Sequence, residues 1–350
     1  MLRLIALTLP LVACTALPGR SSQEVRLEDV FERVETAVVT VHTAGRTGLR
    51  GESGQAVTAE GVGSGTLLEG GRVLTASHVV QTADRVVVEF VDGSLVDARV
   101  VRTVPSLDLA LLQLESAAPQ GVRPAVLGDS NAARVAERVF VVGAPLGISH
   151  TLTVGYLSAR RMGPSLIGAG EVEVLQTDAA INHGNSGGPL FNMAGEVIGV
   201  VSFILSESGG SAGLGFAISS RTAREQLLDR PAFWTGVDWV TLAGEWAKAF
   251  NLPDGRTGLL LQRVAQGSAG ARLGLRGSSV PIEAGGRPLL IGGDVVLEVA
   301  GIDVGSEEAV ARIGVALDGL ASDAELVVRI LRDGRERTLK ARMGELRAAP

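Results

Sequence analysis

The most informative stretch of this sequence reads Gly184-Asn185-Ser186-Gly187-Gly188-Pro189-Leu190. Glycines on both sides of a serine permit the unusual backbone angles of a sharp turn, so the hydroxyl is exposed and backbone N–H groups stay free. A nucleophilic serine with an oxyanion hole needs both features. We therefore expect Ser186 to be a nucleophile, with the N–H groups of Gly184, Asn185 and Ser186 as oxyanion donors.

The position of the histidines restricts the kind of catalytic site. The same residues satisfy the G-x-S-x-G pattern of α/β hydrolases, in which the acid and the histidine follow the serine. The chain has four histidines, His42, His78, His150 and His183, and none of them follows Ser186. The α/β-hydrolase order is therefore excluded, whereas the order His, Asp, Ser remains open.

Two residues upstream of the serine complete this order. His78 follows a strand-like run at residues 73–75, which fixes where its imidazole points, and we expect it to be the general base. Asp108 lies in an apolar run, where a carboxylate is costly to bury unless it is paired. A histidine Nδ1–H is a suitable partner, because the pair fixes the tautomer of the imidazole. Three other aspartates that follow His78 are less embedded in apolar sequence: Asp84, Asp92 and Asp97.

The composition favours a β-rich globular protein without a cofactor. Hydrophobic residues make up 46% of the 350 and charged residues 20%, which suits two or three domains with sizeable cores. The 46 glycines and the few aromatic residues (3%) favour short strands with many turns. A net charge of −6 without a basic stripe argues against nucleic acid as a partner. The single cysteine excludes intrachain disulfides, and with scattered histidines it argues against a zinc site, so we expect no metal or other cofactor.

The N-terminus has the pattern of a secretory signal. A short basic start, Met1-Leu2-Arg3, precedes a mostly apolar stretch at residues 4–12 that is too short to span a bilayer. Leu11-Val12-Ala13-Cys14 resembles the bacterial lipobox, which implies that residues 1–13 are removed and that Cys14 is lipidated. Residues 14–24 would then tether the protein to a membrane. The alternative is an ordinary cleaved signal with a chance cysteine.

The rest of the sequence consists of many short strand-like runs separated by turns. The runs at 86–91 and 95–101 flank Asp92-Gly93, the strongest short hairpin signal. Strands and helices do not alternate regularly, which argues against a parallel α/β sheet, and a dozen short strands fit two antiparallel barrels. A helical run at 221–229 ends before Pro231. We therefore predict a first unit over residues 25–225, a linker over 226–235 and a second β-rich unit over 236–346.

Several motifs of the first unit together resemble the HtrA/Deg family of serine proteases. They are Thr75-Ala76-Ser77-His78-Val79, Asp108-Leu109-Ala110, residues 177–190 around Ser186, and residues 213–218. The resemblance implies a chymotrypsin-like double β-barrel, with His78 and Asp108 from the first barrel and Ser186 from the second. It also implies an endopeptidase of the bacterial envelope that cleaves unfolded or damaged polypeptides without ATP. Family members commonly form homotrimers through aromatic N-terminal contacts, for which this chain offers Phe31.

The same resemblance bears on substrate specificity. Ala180 lies six residues before Ser186, where a trypsin-like enzyme carries its specificity aspartate. The pocket, which we place at Ala180, Val201 and Phe203, should therefore favour small or aliphatic side chains over Lys and Arg. Asn185 replaces the aspartate that pairs with a newly cut N-terminus in trypsin-like zymogens, so we do not expect activation by that ion pair.

The second unit resembles a bacterial PDZ domain, an α+β fold, in residues 258–264, 267–275 and 292–301. Such a domain adds an extended peptide to a sheet edge and captures its C-terminal carboxylate with backbone N–H groups. We expect the peptide-binding segment to be Trp239, Val240, Thr241 and Leu242. An insert at residues 277–290 enlarges the middle of the domain, and a lid or spacer is the alternative to peptide binding.

Three functions are consistent with these motifs. The first is an envelope serine endopeptidase with a single PDZ domain, which the intact His78, Asp108 and Ser186 favour. The second is a non-enzymatic peptide-binding or holdase lipoprotein built on a degenerate protease. The third is an esterase that uses the same three residues, because acyl chemistry alone does not distinguish it from a protease.

Overall fold

The computed structural model describes residues 26–50, 56–144, 150–162, 172–182, 184–204, 211–252, 256–284 and 286–347. The predicted signal and tether, including Cys14, lie outside these ranges. Within them no helix is long and apolar enough to cross a bilayer. The fold is mainly β and confirms the predicted class, because two barrels of the chymotrypsin type precede a smaller sheet with helices.

The first barrel has six antiparallel strands. They are β1 (Val38–Arg50), β2 (Ala56–Leu68), β3 (Arg72–Thr75), β4 (Arg85–Glu89), β5 (Leu95–Val104) and β6 (Leu109–Leu114). The barrel closes in the order β1-β2-β3-β6-β5-β4, and alternate residues of β5 point into it. Side chains such as Val41, Phe90 and Leu112 fill the interior, each at most 2% exposed. The hairpin predicted at Asp92-Gly93 is confirmed as the β4–β5 connection.

The second barrel is a similar closed sheet. Its strands are β7 (Val126–Leu127), β8 (Arg138–Gly143), β9 (Thr151–Met162), β10 (Glu173–Thr177), β11 (Pro189–Asn192), β12 (Glu196–Ile204) and β13 (Gly215–Ser219). The order β11-β8-β9-β10-β13-β12 closes through pairing of β11 with β12, and β7 adds in parallel to β12. Leu157, Leu175 and Leu190 fill its interior.

Three short helices accompany the barrels. They are α1 (Leu27–Val34), α2 (Ser77–Val80) and α3 (Ser220–Ala223). Helix α1 buries Val30 and Val34, four residues apart on one face, beside the stacked rings of Phe140 and Phe191, whose centroids lie 5.1 Å apart. Helix α3 continues through a π-helical turn, Arg224–Leu228, so the helix predicted before Pro231 is confirmed.

A β-bulge interrupts strand β12 at Ser202. Val201 pairs with Ala217 across the ladder, but Phe203 pairs with the adjacent Phe216, so Ser202 is an extra residue without a partner in β13. A bulge of this kind bends the strand and re-aims the side chain of the extra residue. Ser202 therefore leaves the regular alternation of β12.

The C-terminal unit has a main sheet of six strands. Its elements are β14 (Val237–Leu242), α4 (Glu245–Ala249), β15 (Gly258–Val264), α5 (Ala269–Leu273), β16 (Val280–Ala284), β17 (Arg287–Ile291), β18 (Val295–Val299), β19 (Ile302–Asp303), α6 (Glu307–Gly319), β20 (Glu325–Arg332), β21 (Arg335–Arg342) and α7 (Met343–Arg347). The sheet order is β14-β15-β18-β20-β21, with β19 paired to β18, so β14 is an edge strand. The predicted insert forms a separate hairpin, β16–β17.

A buried ion pair fastens this unit to the first barrel. Arg102 on β5 pairs with Asp318 on α6 through two N–O contacts of 2.8 and 2.6 Å, and both side chains are at most 11% exposed. The same guanidinium donates to the backbone carbonyls of Gln226 and Pro231 in the connecting segment. The Arg102 side chain thus links the first barrel, the segment that connects the two units, and the C-terminal unit.

Candidate active site

His78 and Asp108 lie together on the first barrel. The Nδ1 atom of His78 is 2.9 Å from both carboxylate oxygens of Asp108, and the His78 backbone N–H donates to the same carboxylate at 2.9 Å. His78 lies on helix α2, just beyond the end of β3, rather than on the strand itself. Asp108 has a left-handed backbone, with φ at 52°, which is strained for a non-glycine residue and turns its carboxylate towards His78.

The other three aspartates have different partners. Asp84 pairs with Arg46 at 3.0 Å, Asp92 accepts from the Ser94 N–H at 2.9 Å, and Asp97 pairs with Arg85 at 2.9 Å. Of the four candidates, Asp108 is the one that contacts His78.

Ser202 connects the Asp108 carboxylate to the serine loop. Its hydroxyl donates to Asp108 Oδ2 at 2.5 Å, and its backbone carbonyl accepts from the Ser186 hydroxyl at 3.3 Å. The bulge in β12 makes both contacts available to one residue. Ser202 is not among the residues predicted from the sequence, although it is the single polar residue in the otherwise apolar run of residues 197–204.

The loop around Ser186 packs closely on the first barrel beside His78. A Cβ atom on Gly187 would collide with the Ser64 carbonyl and the Thr75 hydroxyl, three residues before His78. Gly187 also has a φ of 84°, so glycine is required here for two reasons. Within the described ranges the Ser186 hydroxyl bonds to Ser202 and makes no hydrogen bond to His78.

Two of the three predicted oxyanion donors are open. The N–H groups of Gly184 and Ser186 have no acceptor among the residues that the structure describes. The N–H of Asn185 donates to the Asn182 carbonyl at 3.1 Å, so the prediction of a free N–H at Asn185 is wrong. The buried Asn185 side chain donates to the Ala180 carbonyl at 3.4 Å and supports the loop from inside.

The environment of His78 favours its protonated form. Hydrogen bonding to Asp108 raises the pKa of His78 above its ordinary value of about 6.5, and the negative charge of Asp108 acts in the same direction. Burial lowers the pKa, but by less than the hydrogen bond raises it. A base that must hold a proton between two steps benefits from this stabilisation of the imidazolium.

Val201 and Phe203 belong to different hydrophobic clusters. Val201 is fully buried inside the second barrel beside Ile181. Phe203 belongs to a different cluster and stacks on Phe216, with ring centroids 4.9 Å apart. Residues two apart on a regular strand face the same side, but the bulge at Ser202 breaks that alternation. The two side chains therefore face different parts of the core, and the specificity pocket at Ala180, Val201 and Phe203 stays a prediction.

A second concave site lies in the C-terminal unit. A cavity of about 830 Å³ is lined by residues of β14 and α6, including Trp239, Thr241 and Val310, and by residues 102–107 of the first barrel. Val240 is 40% exposed and does not line the cavity, and Leu242 is buried in another cluster. Because side chains alternate along a strand, four consecutive residues cannot all face one groove. The Val240 and Leu242 side chains therefore lie outside the cavity, while capture of a peptide by the backbone N–H groups of this segment stays a prediction.

The arrangement suits acyl transfer to a serine. An imidazole oriented by a carboxylate, a serine hydroxyl on a tight loop and two open N–H groups occupy one region between the barrels. Across the described ranges, no group of three or more His, Cys, Asp or Glu side chains is placed to hold a metal ion.

Comparisons with known sequences find proteases. A family model described as a trypsin-like peptidase domain matches residues 63–200. The periplasmic pH-dependent serine endoprotease DegQ of Escherichia coli is 32% identical over 343 residues, covering 90% of this chain and 73% of DegQ. A probable periplasmic serine endoprotease, DegP-like, of Pseudomonas putida is 36% identical over 284 residues, covering 79% of this chain and 57% of the relative. The chain thus spans little more than half the length of that relative.

Solved structures give the same result. The structure of the HtrA-type protease AlgW with a tripeptide is 28% identical in sequence and has a TM-score of 0.51. The match covers 90% of this chain and 95% of the AlgW chain. A variant of AlgW with a decapeptide is 26% identical, covers 90% and 96% of the two chains, and has a TM-score of 0.53.

Proposed function

Because this chain belongs to the HtrA/Deg family of serine proteases, we propose that it is an ATP-independent serine endopeptidase of the bacterial envelope. Its substrates are unfolded or damaged polypeptides. The observation that carries the proposal is the Asp108–His78 pair, which Ser202 connects to the loop of Ser186.

The reaction proceeds through an acyl-enzyme. The Ser186 hydroxyl turns away from the Ser202 carbonyl, gives its proton to His78 Nε2 and attacks the peptide carbonyl carbon. The N–H groups of Gly184 and Ser186 stabilise the resulting oxyanion. His78 then returns the proton to the leaving amine as the C–N bond breaks. Water repeats the sequence on the acyl-enzyme, which releases the carboxylate product and restores Ser186.

The C-terminal unit acts as a PDZ-like peptide-binding domain. Two features support this role: β14 is the edge strand of its sheet, and the cavity beside it is lined by apolar side chains of α6. The related AlgW structures contain a tripeptide or a decapeptide. An extended peptide would pair with β14 and place alternate side chains in the cavity.

A matched pair of variants tests the peptide groove. Trp239 lines the cavity, whereas the neighbouring Val240 does not. We expect Trp239→Ala to weaken binding of a fluorescent decapeptide about tenfold or more in an anisotropy titration, because a buried aromatic side chain contributes much of a peptide interface. Val240→Ala should bind like the wild type, and equal losses in both variants would contradict this placement of the groove.

The location follows from the expected lipobox. Lipidation of Cys14 would hold the protein on an envelope membrane facing the periplasm or the exterior, and the family resemblance extends the proposal to a homotrimer. Incorporation of labelled palmitate into the wild type but not into Cys14→Ser tests the anchor. Sedimentation of the detergent-solubilised chain tests the trimer.

One experiment separates the three functions weighed from sequence. The wild type and Ser186→Ala are treated with a fluorophosphonate probe and with unfolded casein. A protease is labelled and cleaves casein, and Ser186→Ala does neither. Labelling without casein cleavage would indicate an esterase, and absence of both would indicate a binding protein.

A further inference from the structure

Ser64 is a buried residue of the first barrel that contacts the serine loop of the second. It is 0% exposed on strand β2. Its hydroxyl donates to the Gly184 carbonyl at 2.6 Å and accepts from the Ala144 N–H at 2.8 Å. Its own N–H donates to the Ser186 carbonyl at 2.9 Å. Ser64 therefore holds two carbonyls of the loop that carries the nucleophile.

These bonds fix the peptide groups on either side of the Ser186 N–H. A peptide group is planar, so fixing its C=O also fixes its N–H, which points the opposite way. Ser64 holds the Gly184 carbonyl through its hydroxyl and the Ser186 carbonyl through its N–H. The peptide between them has its carbonyl bonded to the Gly188 N–H at 2.9 Å. The Ser186 N–H belongs to this peptide and therefore points away from the Gly188 N–H that its carbonyl binds.

Two glycines pack closely against Ser64. A Cβ on Gly188 would lie 3.1 Å from the Ser64 Cβ, and a Cβ on Gly143 would lie 2.9 Å from its hydroxyl. The Ser64 carbonyl accepts from the Thr75 hydroxyl at 2.7 Å, which ties it to the strand before His78. Ser64 thus joins the supports of the nucleophile and of the base.

We infer that Ser64 is a positioning residue for the oxyanion site, and this inference rests on the proposed function. Its hydroxyl holds the Gly184–Asn185 peptide and its N–H holds the Ser186–Gly187 peptide, and these two fixed neighbours keep the Asn185–Ser186 peptide in the orientation that aims the Ser186 N–H at the oxyanion. Among the described residues the Ser64 hydroxyl hydrogen-bonds to the Gly184 carbonyl and the Ala144 N–H, whereas the contact with Thr75 is made by the Ser64 backbone carbonyl. Removing the hydroxyl should therefore change the donor geometry and leave the titration of the base unchanged.

The test compares Ser64→Ala with a matched buried serine. Ser278, in the C-terminal unit, is 2% exposed, donates to the Leu261 carbonyl at 2.7 Å and accepts from the Gly293 N–H at 3.1 Å. Both variants remove one hydroxyl that joins a carbonyl to an N–H. Thermal melts of the mature chain should therefore show similar losses of stability.

Only Ser64→Ala should lose activity on a small acyl ester. A misplaced donor lowers kcat, and we expect a fall of about 10- to 100-fold, below the 10²–10³ typical of removing a donor outright. KM should change less than about twofold, and the acid limb of the pH profile should not move. Ser64→Cys, which keeps a weaker donor on a somewhat larger atom, should fall between the wild type and Ser64→Ala and serves if the alanine variant does not fold.

Hydrogen exchange separates this inference from the proposed function. Amides of residues 184–190 should exchange faster in Ser64→Ala than in the wild type and Ser278→Ala, whether or not the enzyme is active. If the wild type neither cleaves casein nor reacts with the probe, the proposed function fails and exchange alone decides the role of Ser64. Wild-type kcat in a folded Ser64→Ala, or unchanged exchange, would overturn the inference.

Discussion

The Ser202 hydroxyl donates to the Asp108 carboxylate at 2.5 Å, so a residue of the second barrel holds the acid of the first. The Ser202 carbonyl accepts from the Ser186 hydroxyl. The relative position of acid and nucleophile therefore depends on one bulged residue. Buried residues of both barrels, such as Leu109 and Phe216, also pack in one apolar cluster, so this hydrogen bond adds a polar link beside an apolar contact.

Removing the Ser202 hydroxyl should change both the rate and the pH dependence. A hydrogen bond to a charged group contributes about 1.5–3 kcal/mol, so we expect kcat/KM of Ser202→Ala to fall about tenfold. Without that donor the Asp108 charge acts more fully on His78 and raises its pKa. The acid limb of kcat/KM should therefore move to higher pH.

Ser220→Ala is the control for this change. Ser220 is 1% exposed and its hydroxyl donates to the Gly128 carbonyl at 2.7 Å, away from the site. It should keep the wild-type profile. If the acid limb of Ser202→Ala coincides with that of the wild type, Ser202 does not act on the Asp108–His78 pair.

The raised pKa of His78 predicts the direction of the wild-type pH profile. The base must be neutral to accept the serine proton, and hydrogen bonding to Asp108 keeps it protonated to a higher pH than usual. Activity should therefore rise with pH, with its midpoint above about 6.5. In Asp108→Asn the raising contributions are lost while burial remains, so the midpoint should move below the wild-type value.

The rate of Asp108→Asn should fall as well, by about 10⁴ in kcat, because the imidazole loses its orienting acceptor. Asp97→Asn is the control, since Asp97 pairs with Arg85 on the exposed face of the barrel. Kinetics from pH 5 to 9 measure both quantities. If the midpoint of the pH–activity profile is the same in Asp108→Asn as in the wild type, a group other than His78 sets that midpoint.

The class of fold and the central pair could be predicted because their signals are local. Hairpin residues such as Asp92-Gly93 and the short strand runs indicate antiparallel barrels, and a charged residue in an apolar run marks Asp108. The chain order of His78, Asp108 and Ser186 then restricts the kind of site. None of these inferences requires knowledge of which strands pair with each other in the barrels.

The remaining residues depend on contacts that local sequence does not encode. The role of Ser202 comes from a bulge, and one extra residue in a ladder becomes visible only when both strands are known. The same bulge separates Val201 from Phe203. Arg102 and Asp318 are 216 positions apart, so their pairing could not be read from either segment.

Breaking the buried pair of Arg102 should destabilise the protein strongly. Arg102→Ala leaves the Asp318 carboxylate buried without a partner, which typically costs about 3–5 kcal/mol. Arg85→Ala breaks an exposed pair of the same barrel, with side chains 68% and 51% exposed, and should cost at most about 1 kcal/mol. Urea unfolding measures both, and limited proteolysis of residues 226–235 reports release of the C-terminal unit. Equal costs would contradict the structural role of the Arg102 pair.

A methyl group at Gly187 should disable the site, whereas one at Gly93 should not. Both glycines have left-handed angles, with φ at 84° and 80°, so alanine costs about 1–2 kcal/mol of backbone strain at either position. They differ in space, because a Cβ at Gly187 collides with the Ser64 carbonyl and the Thr75 hydroxyl, while at Gly93 nothing lies within 4 Å. Gly187→Ala must shift the Ser186 loop, so we expect fluorophosphonate labelling to slow by about 10² or more. Gly93→Ala should label at the wild-type rate with a slightly lower melting temperature, and similar labelling of the two variants would show that the loop tolerates displacement from Ser64.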